Sequence, residues 1–178
     1  MKRVSKKSGY IHIIIISHNR KPIFVDNIEM LRESFKYTAG YYDFEISAIC
    51  ILPTHIHLIL DLKDVKDCSK IITCIKHNFY KDYFELLKTQ DEEYLNKHEI
   101  DVFQKRHYEY NIKGEDELNN HIKYIHYNPV KHELVKNVKD WAYSSFHKFV
   151  NEGKYPEDWG KDSDIDSIKD LSSNIFCT

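Results

Sequence analysis

The sequence has few cysteines, glycines and prolines and no long hydrophobic run. The apolar stretch YIHIIIISH falls short of the roughly 18 residues that a membrane span needs, and it contains His12 and His18. The basic stretch MKRVSKKSGY lacks the apolar core of a signal peptide. We therefore expect neither a membrane span nor export.

The four cysteines are neither paired as C-x-x-C nor regularly spaced; they are Cys50, Cys68, Cys74 and Cys177. This pattern argues against a disulfide framework and against a thiolate zinc site. A reducing, cytoplasmic location fits it best.

Neither sign of charge is in large excess, since the formal net charge is −2 with eleven histidines uncounted. The total charge therefore does not favour a nucleic-acid partner. Basic residues nevertheless cluster in residues 2–7, around Lys105 and Arg106, and in residues 131–139. Any site for a polyanion must be local.

A chain of 178 residues with 42% hydrophobic residues most simply forms one domain, which we assign to residues 1–160 with a loosely ordered tail at 161–178. The patterns predict an α+β, ferredoxin-like fold, with an antiparallel sheet and its helices packed on one face. Strands are expected within residues 10–18, 43–51, 55–62 and 102–112, and helices over 28–39, 67–87 and 115–127, with an exposed loop at 88–101 and Pro129 ending the third helix.

The stretch ILPTHIHLIL places two imidazoles two positions apart in an apolar segment. Alternate residues of a strand share a face, so His55 and His57 project to one side and Ile56 and Leu58 to the other. If the isoleucine row fills the core, the histidine row faces solvent, a ligand or a cleft. The pair can bind a divalent metal if a third ligand comes from elsewhere, or it can simply be the wet side of a half-buried strand.

The third helix also has two distinct faces. At about 100° per residue, His121, Tyr124 and Asn128 fall within about 60° of arc, apart from the apolar sector of Leu118, Ile122 and Ile125. Tyr124 and Asn128 offer a nucleophile one turn from an oxygen ligand, the spacing a metal-assisted attack requires. The alternative is a solvated helix face that carries an amphipathic tyrosine.

These segments resemble a known family. PTHIHLI resembles the His-hydrophobic-His motif of the HUH single-tyrosine transposases, and HIKYIHYNPVKHELV resembles the catalytic helix and turn of their REP-associated branch. The likeness extends through VFQKRHYEYNI and VKDWAYSSFHKFVNEGKYPEDWG, so it covers residues 10–160. It departs at Glu133, where the branch often has glycine.

The resemblance implies that His55 and His57 are metal ligands, that Tyr124 is the nucleophile and that Asn128 is the third ligand. Tyr127 is the alternative nucleophile. His121 and His126 are the alternatives to Asn128. Candidates for contact with DNA phosphates and bases are Lys105, Arg106, Tyr108, Lys131 and His132, although ordinary surface or core roles are open to them.

The family chemistry is the cutting and rejoining of single-stranded DNA beside a hairpin through a 5′-phosphotyrosine intermediate. A carboxamide and phosphate oxygens favour Mg²⁺ or Mn²⁺ as the cofactor. The resemblance leaves a monomer or a homodimer open. Two other functions stay open: a non-catalytic module that binds hairpin DNA or RNA, and a metal phosphoesterase that uses water. A 2H-type phosphoesterase is disfavoured because Leu58 and Ile59 follow His57.

Overall fold

A computed structural model describes residues 7–97, 100–161 and 164. Residues 1–6 of the basic leader, most of the expected tail and Cys177 lie outside these residues. The strands and longer helices are β1 (Gly9–Ile16), α1 (Ile28–Ala39), β2 (Phe44–Ile51), β3 (His55–Leu62), α2 (Cys68–Lys97), β4 (Tyr108–Asn111), α3 (Glu115–Lys131) and α4 (Phe146–Asn151). The strands form one antiparallel sheet in the order β2-β3-β1-β4, which confirms the α+β class.

The helices divide between the two faces of the sheet. One row of β1 and β3, including Ile13, Ile56 and Leu58, packs with α1 and α2 in the main core. On the other face, Ile122 and Ile125 of α3 pack on residues of β2 and β3 that include Ala48, Cys50 and Ile59. The expectation that all helices share one face is therefore wrong for α3. The second apolar patch lies beside the histidine row, so that face is covered as well.

The register of β1 against β3 decides which side chains meet beneath α3. Ile14 lies opposite His57 and Ile16 opposite His55, while His12 lies opposite Ile59. Directly opposed residues of antiparallel strands share a face. His12 therefore lies on the same face as the histidine pair, between the sheet and α3.

Pro129 does not end α3, which continues to Lys131. The helix ends in a Schellman motif, in which the Glu133 and Leu134 backbone N–H groups donate to the Val130 and Pro129 carbonyls, both at 2.9 Å. Glu133 has φ +58°, the left-handed conformation that glycine adopts most readily. The departure from the family pattern thus falls on the residue for which glycine is the natural choice.

Two other boundaries differ from expectation. The segment 88–97, expected as a loop, belongs to α2, whose helical geometry is interrupted at Asp91. Its Lys, Gln and Glu residues are good helix formers, which explains the extension. The fourth strand covers only Tyr108–Asn111, and Phe103 makes an isolated bridge to Ser17. Within the described residues, none of the helices combines the length and apolar character that crossing a membrane would require.

Candidate functional site

A pocket of about 40 Å³ lies between the sheet and the end of α3. Strands β1 and β3 form its floor and α3 with the turn after it forms its wall. Among the described residues, those that line it are Ile14, Ile16, Arg20, His55, His57, Tyr124, Lys131 and His132. None of these eight is acidic, so the fixed charge of the lining is positive, which suits an anion such as a phosphate.

The histidine pair is buried rather than displayed on an open face, with 7% of His55 and 3% of His57 exposed. The Thr54 hydroxyl lies 2.9 Å from His55 Nδ1, and His12 Nε2 lies 3.2 Å from His57 Nδ1. Both rings therefore use Nδ1 for hydrogen bonds within the protein. Nε2, on the opposite side of each ring, is the nitrogen suited to bind a metal.

Burial keeps both rings neutral at pH 7. It is the main cause that lowers the pKa of His55 to about 3, with smaller contributions from His132, Arg20 and Lys131. Burial also lowers the pKa of His57 well below its usual value, assisted by His12 and His55. A neutral imidazole is the form that binds a metal, so both rings are ready to act as ligands.

Tyr124 brings its phenol from α3 to the histidine pair. Its ring centroid lies 5.7 Å from that of His57, and only 4% of the residue is exposed. Lys131 Nζ donates a hydrogen bond of 3.0 Å to the Tyr124 hydroxyl and lies 4.9 Å from the ring centroid. An ammonium group in this position stabilises negative charge on the phenolic oxygen.

Asn128 is fully buried one turn after Tyr124. Its Nδ2 donates to the Tyr124 carbonyl at 2.8 Å, and no donor among the described residues reaches its Oδ1. Tyr124 contacts His57 and His132 contacts His55, and Asn128 lies between them on the same side of α3, although it is not among the residues that line the pocket. A buried oxygen without a donor is costly unless a ligand satisfies it. The donor set of two imidazoles and a carboxamide oxygen fits a divalent cation.

His55, His57 and Asn128 combine two imidazoles with one carboxamide. Among the described residues, no three His, Cys, Asp or Glu side chains are grouped to hold a metal ion. A site that includes Asn128 has only two members of those residue types.

The predicted DNA contacts separate into two groups. Lys131 and His132 line the pocket, and Tyr108, 44% exposed, lies opposite Ile14 and so on the same face. Lys105 instead lines a groove beside α2 with Lys76 and His107. Arg106 is exposed in the segment before β4. The structure therefore does not bring all five residues together.

The alternative site residues lie elsewhere. Tyr127 packs in a separate cluster around Val138, Phe146 and Trp159. His126 is buried with its Nε2 2.8 Å from the Ser145 hydroxyl. His121 lies against His12, deeper between α3 and the sheet. None of the three lines the pocket that contains Tyr124.

Sequence reasoning missed His12, Thr54 and Arg20. His12 lies within the apolar run of β1, and only the strand register shows that it adjoins His57. Arg20 enters the pocket from a turn in which Asn19 and Arg20 both have φ near +50°, at 52° and 51°. Two left-handed non-glycine residues beside a pocket are a recognised sign of a functional turn, but a sequence pattern does not show backbone angles.

Comparison with known proteins supports one family. The family described as "Transposase IS200 like" matches residues 5–128. A protein named as a REP-associated tyrosine transposase in Haemophilus influenzae is 39% identical over 162 residues, covering 90% of this chain and 92% of that protein. The REP-associated tyrosine transposase of Escherichia coli is 30% identical over 157 residues, covering 88% and 87%.

A solved structure agrees with these sequence relatives. It is described as a REP-associated tyrosine transposase bound to a REP hairpin, and it matches with a TM-score of 0.76 and 30% identity over 91% of each chain. The similar structure and the two sequence relatives thus point to the same kind of protein over nearly the whole chain. The chain therefore belongs to the IS200-like transposase family and is similar to REP-associated tyrosine transposases over about nine tenths of its length.

Proposed function

We propose that this protein is a metal-dependent transposase that cleaves and rejoins single-stranded DNA beside hairpins through a 5′-phosphotyrosine intermediate on Tyr124. The observation that carries the proposal is the meeting of Tyr124 with His55 and His57 in one basic pocket. The family generally uses a divalent metal, and the related structure was solved with a REP hairpin. We also propose that the protein acts in the cytoplasm.

The ligands of the proposed metal are His55 Nε2, His57 Nε2 and Asn128 Oδ1. The buried Oδ1 that no described donor reaches supports this assignment, as do the hydrogen bonds that occupy Nδ1 of both histidines. A bound Mg²⁺ or Mn²⁺ ion would act as a Lewis acid that polarises the scissile phosphate. Two neutral imidazoles and a carboxamide add no negative charge, so a DNA phosphate would supply the negative charge that a bound cation needs.

The nucleophile is the Tyr124 hydroxyl. As it attacks, a bond forms between Oη and phosphorus, the bond from phosphorus to the 3′ oxygen breaks, the phenolic proton is lost and the 3′ oxygen gains a proton. The Lys131 ammonium, 3.0 Å from Oη, stabilises the charge that develops there. The phosphotyrosine linkage conserves the energy of the broken ester, so a 3′ hydroxyl can reverse the reaction without ATP.

Burial shields this chemistry from water. Tyr124 is 4% exposed and α3 covers both histidines, so the phosphodiester enters at the side bordered by Arg20, Lys131 and His132. These groups would contact the phosphates on either side of the scissile bond. Tyr108, exposed on the same face, is placed to stack on an unpaired base.

Formation of a covalent adduct tests the proposal. The protein is incubated with a single-stranded oligonucleotide that carries a hairpin, with Mn²⁺ or with EDTA, and analysed on a denaturing gel. We expect an SDS-resistant protein–DNA species that requires Mn²⁺, that is lost in Tyr124→Phe and that persists in Tyr127→Phe. Tyr127→Phe is a matched control because it removes the same hydroxyl from the neighbouring cluster.

The same experiment separates the other functions. Cleavage that continues in Tyr124→Phe without an adduct would show that water is the nucleophile. Retardation of the hairpin in a native gel, with no cleavage under any metal condition, would show a binding module without transposase chemistry. Either result would overturn the proposal.

A further inference from the structure

Three buried imidazoles form a continuous hydrogen-bonded row beneath the pocket. His12 Nε2 lies 3.2 Å from His57 Nδ1, and His12 Nδ1 lies 2.8 Å from His121 Nδ1. Both His12 and His121 are 0% exposed. The row runs from His57 in β3 through His12 in β1 to His121 in α3, so it joins three separate elements of the fold.

The chemistry of imidazole allows this row only two directions. A neutral ring carries one N–H, so each hydrogen bond in the row fixes which nitrogen of the next ring is protonated. In one direction His57 donates from Nδ1 to His12, and His12 donates from Nδ1 to His121. In the other direction both bonds reverse and the proton of His57 sits on Nε2.

Only the first direction allows His57 to bind a metal through Nε2, since that nitrogen must then present a lone pair. A histidine ligand usually donates its other N–H to a carboxylate, a backbone carbonyl or water. Here His12 occupies the place of that acceptor. For His55 the Thr54 hydroxyl, 2.9 Å from Nδ1, occupies the same place.

We propose that His12 and His121 are positioning residues that hold His57 in the Nδ1–H tautomer with Nε2 directed at the metal. This inference rests on the proposed function in that it takes His57 as a ligand. His12 Nε2 can accept a hydrogen bond from His57 Nδ1–H only when the proton of His12 is on Nδ1, and that N–H then donates to His121 Nδ1. The tautomer of His57 is thus set through His12 by His121, which lies on α3, the helix that also carries Tyr124.

The surroundings of His121 keep the last ring of the row in place. Tyr110 stacks on it with centroids 5.0 Å apart and an interplanar angle of 21°, and the Tyr110 hydroxyl donates to Glu117 at 2.6 Å. Burying an imidazole costs free energy wherever a ring nitrogen lacks a partner. His121 Nδ1 bonds to His12, whereas its Nε2, which carries the proton in the first direction, has no hydrogen-bond partner among the described residues. An apolar side chain would avoid that cost. Polar rings at both positions therefore indicate a hydrogen-bonding role rather than packing alone.

Nitrogen-15 NMR of the metal-free protein tests the inference. Two-bond correlations between ring protons and nitrogens distinguish the tautomers, and comparison with His57→Gln identifies the His57 signals. We expect the Nδ1–H tautomer in the unaltered protein and the Nε2–H tautomer in both His12→Leu and His121→Leu. Two variants should restore the Nδ1–H tautomer. In His12→Gln, the Oε1 can accept a hydrogen bond from His57 Nδ1–H, and in His121→Asn, the Oδ1 can accept one from His12 Nδ1–H.

Binding of Mn²⁺, followed by the loss of the free-ion signal in electron paramagnetic resonance with a fixed hairpin oligonucleotide present, gives a second readout. We expect the affinity to fall about 10- to 100-fold in the leucine variants and to recover in His12→Gln and His121→Asn. Because the tautomer is read without metal, it is independent of whether an adduct forms. If one leucine variant fails to fold, the other variant and the two rescuing variants still test the inference.

His57 in the Nε2–H tautomer in the unaltered protein would overturn the inference, and so would an Nδ1–H tautomer that persists in both leucine variants. An adduct that forms normally alongside either result would leave the proposed function standing. The expected tautomers without any adduct would instead retain the positioning role and count against the transposase chemistry.

Discussion

Replacing Glu133 by glycine should stabilise the protein. Glu133 is the left-handed residue of the Schellman motif that ends α3, with φ +58°, and it is exposed. A residue with a Cβ pays about 1–2 kcal/mol for this conformation. Glycine avoids that cost but adds about 0.5–1 kcal/mol of backbone entropy to the unfolded chain. The difference is a gain of about 0.5–1 kcal/mol in the free energy of unfolding.

Thermal unfolding followed by circular dichroism measures this gain. For a chain of this size, about 1 kcal/mol shifts the melting temperature by about 2–4 °C, so we expect a rise of about 1–4 °C for Glu133→Gly. Glu133→Ala keeps a Cβ and should change the melting temperature little. Glu33→Gly, on the exposed side of the right-handed helix α1, should lower stability by about 1 kcal/mol. A melting temperature for Glu133→Gly at or below that of the unaltered protein would refute the reasoning.

Three further predictions concern the site and its histidines. Lys131→Gln removes the charge-assisted hydrogen bond to the Tyr124 hydroxyl, worth about 1.5–3 kcal/mol, and should slow adduct formation by about 10- to 150-fold in single-turnover gels; an unchanged rate would show that the ammonium does not act on Oη. Asn128→Leu should abolish measurable Mn²⁺ binding in the presence of the hairpin, whereas Asn128→Gln, which keeps a carboxamide oxygen, should retain part of it; equal binding in both would exclude Oδ1 as a ligand. Burial lowers the pKa of His55 and His126 to about 3, so the unfolded chain binds protons below pH 6.5 that the folded chain does not. Stability should therefore be complete above pH 6.5 and fall toward pH 3, by about 3 kcal/mol for the two residues at pH 5.5, and urea unfolding that is flat between pH 7 and pH 5 would contradict this.

The sequence predicts the architecture where local patterns are strong. Helix α1 begins after Asn27 and ends before Gly40, as the capping residues indicate, and β2 and β3 pair across Pro53. The alternation in HIHLILDL places Ile56 and Leu58 in the core and the histidines on the opposite face. These features depend on neighbours along the chain, which a pattern can show.

Features that depend on contacts between distant segments cannot be predicted from local sequence patterns. The covering of the histidine face by α3, the contact of His12 with His57 and the entry of Arg20 into the pocket all follow from strand register and helix placement. The continuation of α3 past Pro129 was not predicted for a different reason. A proline near a helix end removes only one hydrogen bond, the one to the Ile125 carbonyl. The Glu133 and Leu134 N–H groups still close the last turn by donating to the Val130 and Pro129 carbonyls.

The roles of the site residues are predictions, because only a measured reaction can show which side chain attacks the DNA. Family resemblance and helix geometry both select Tyr124 over Tyr127. The structure adds that Tyr127 packs away from the histidine pair. Chemistry on the tyrosine itself decides between them.

Mapping of the covalent adduct tests the central claim most directly. A hairpin oligonucleotide labelled at its 3′ end is incubated with the protein and Mn²⁺, the adduct is digested with trypsin, and the modified peptide is sequenced by tandem mass spectrometry. Cleavage after Lys123 and Lys131 places Tyr124 and Tyr127 in one peptide, so fragment ions must locate the phosphodiester. The account predicts that the 3′-labelled strand is joined through its 5′ phosphate to Tyr124; attachment to Tyr127, or an adduct that retains the 5′ side of the cleaved strand, would contradict it.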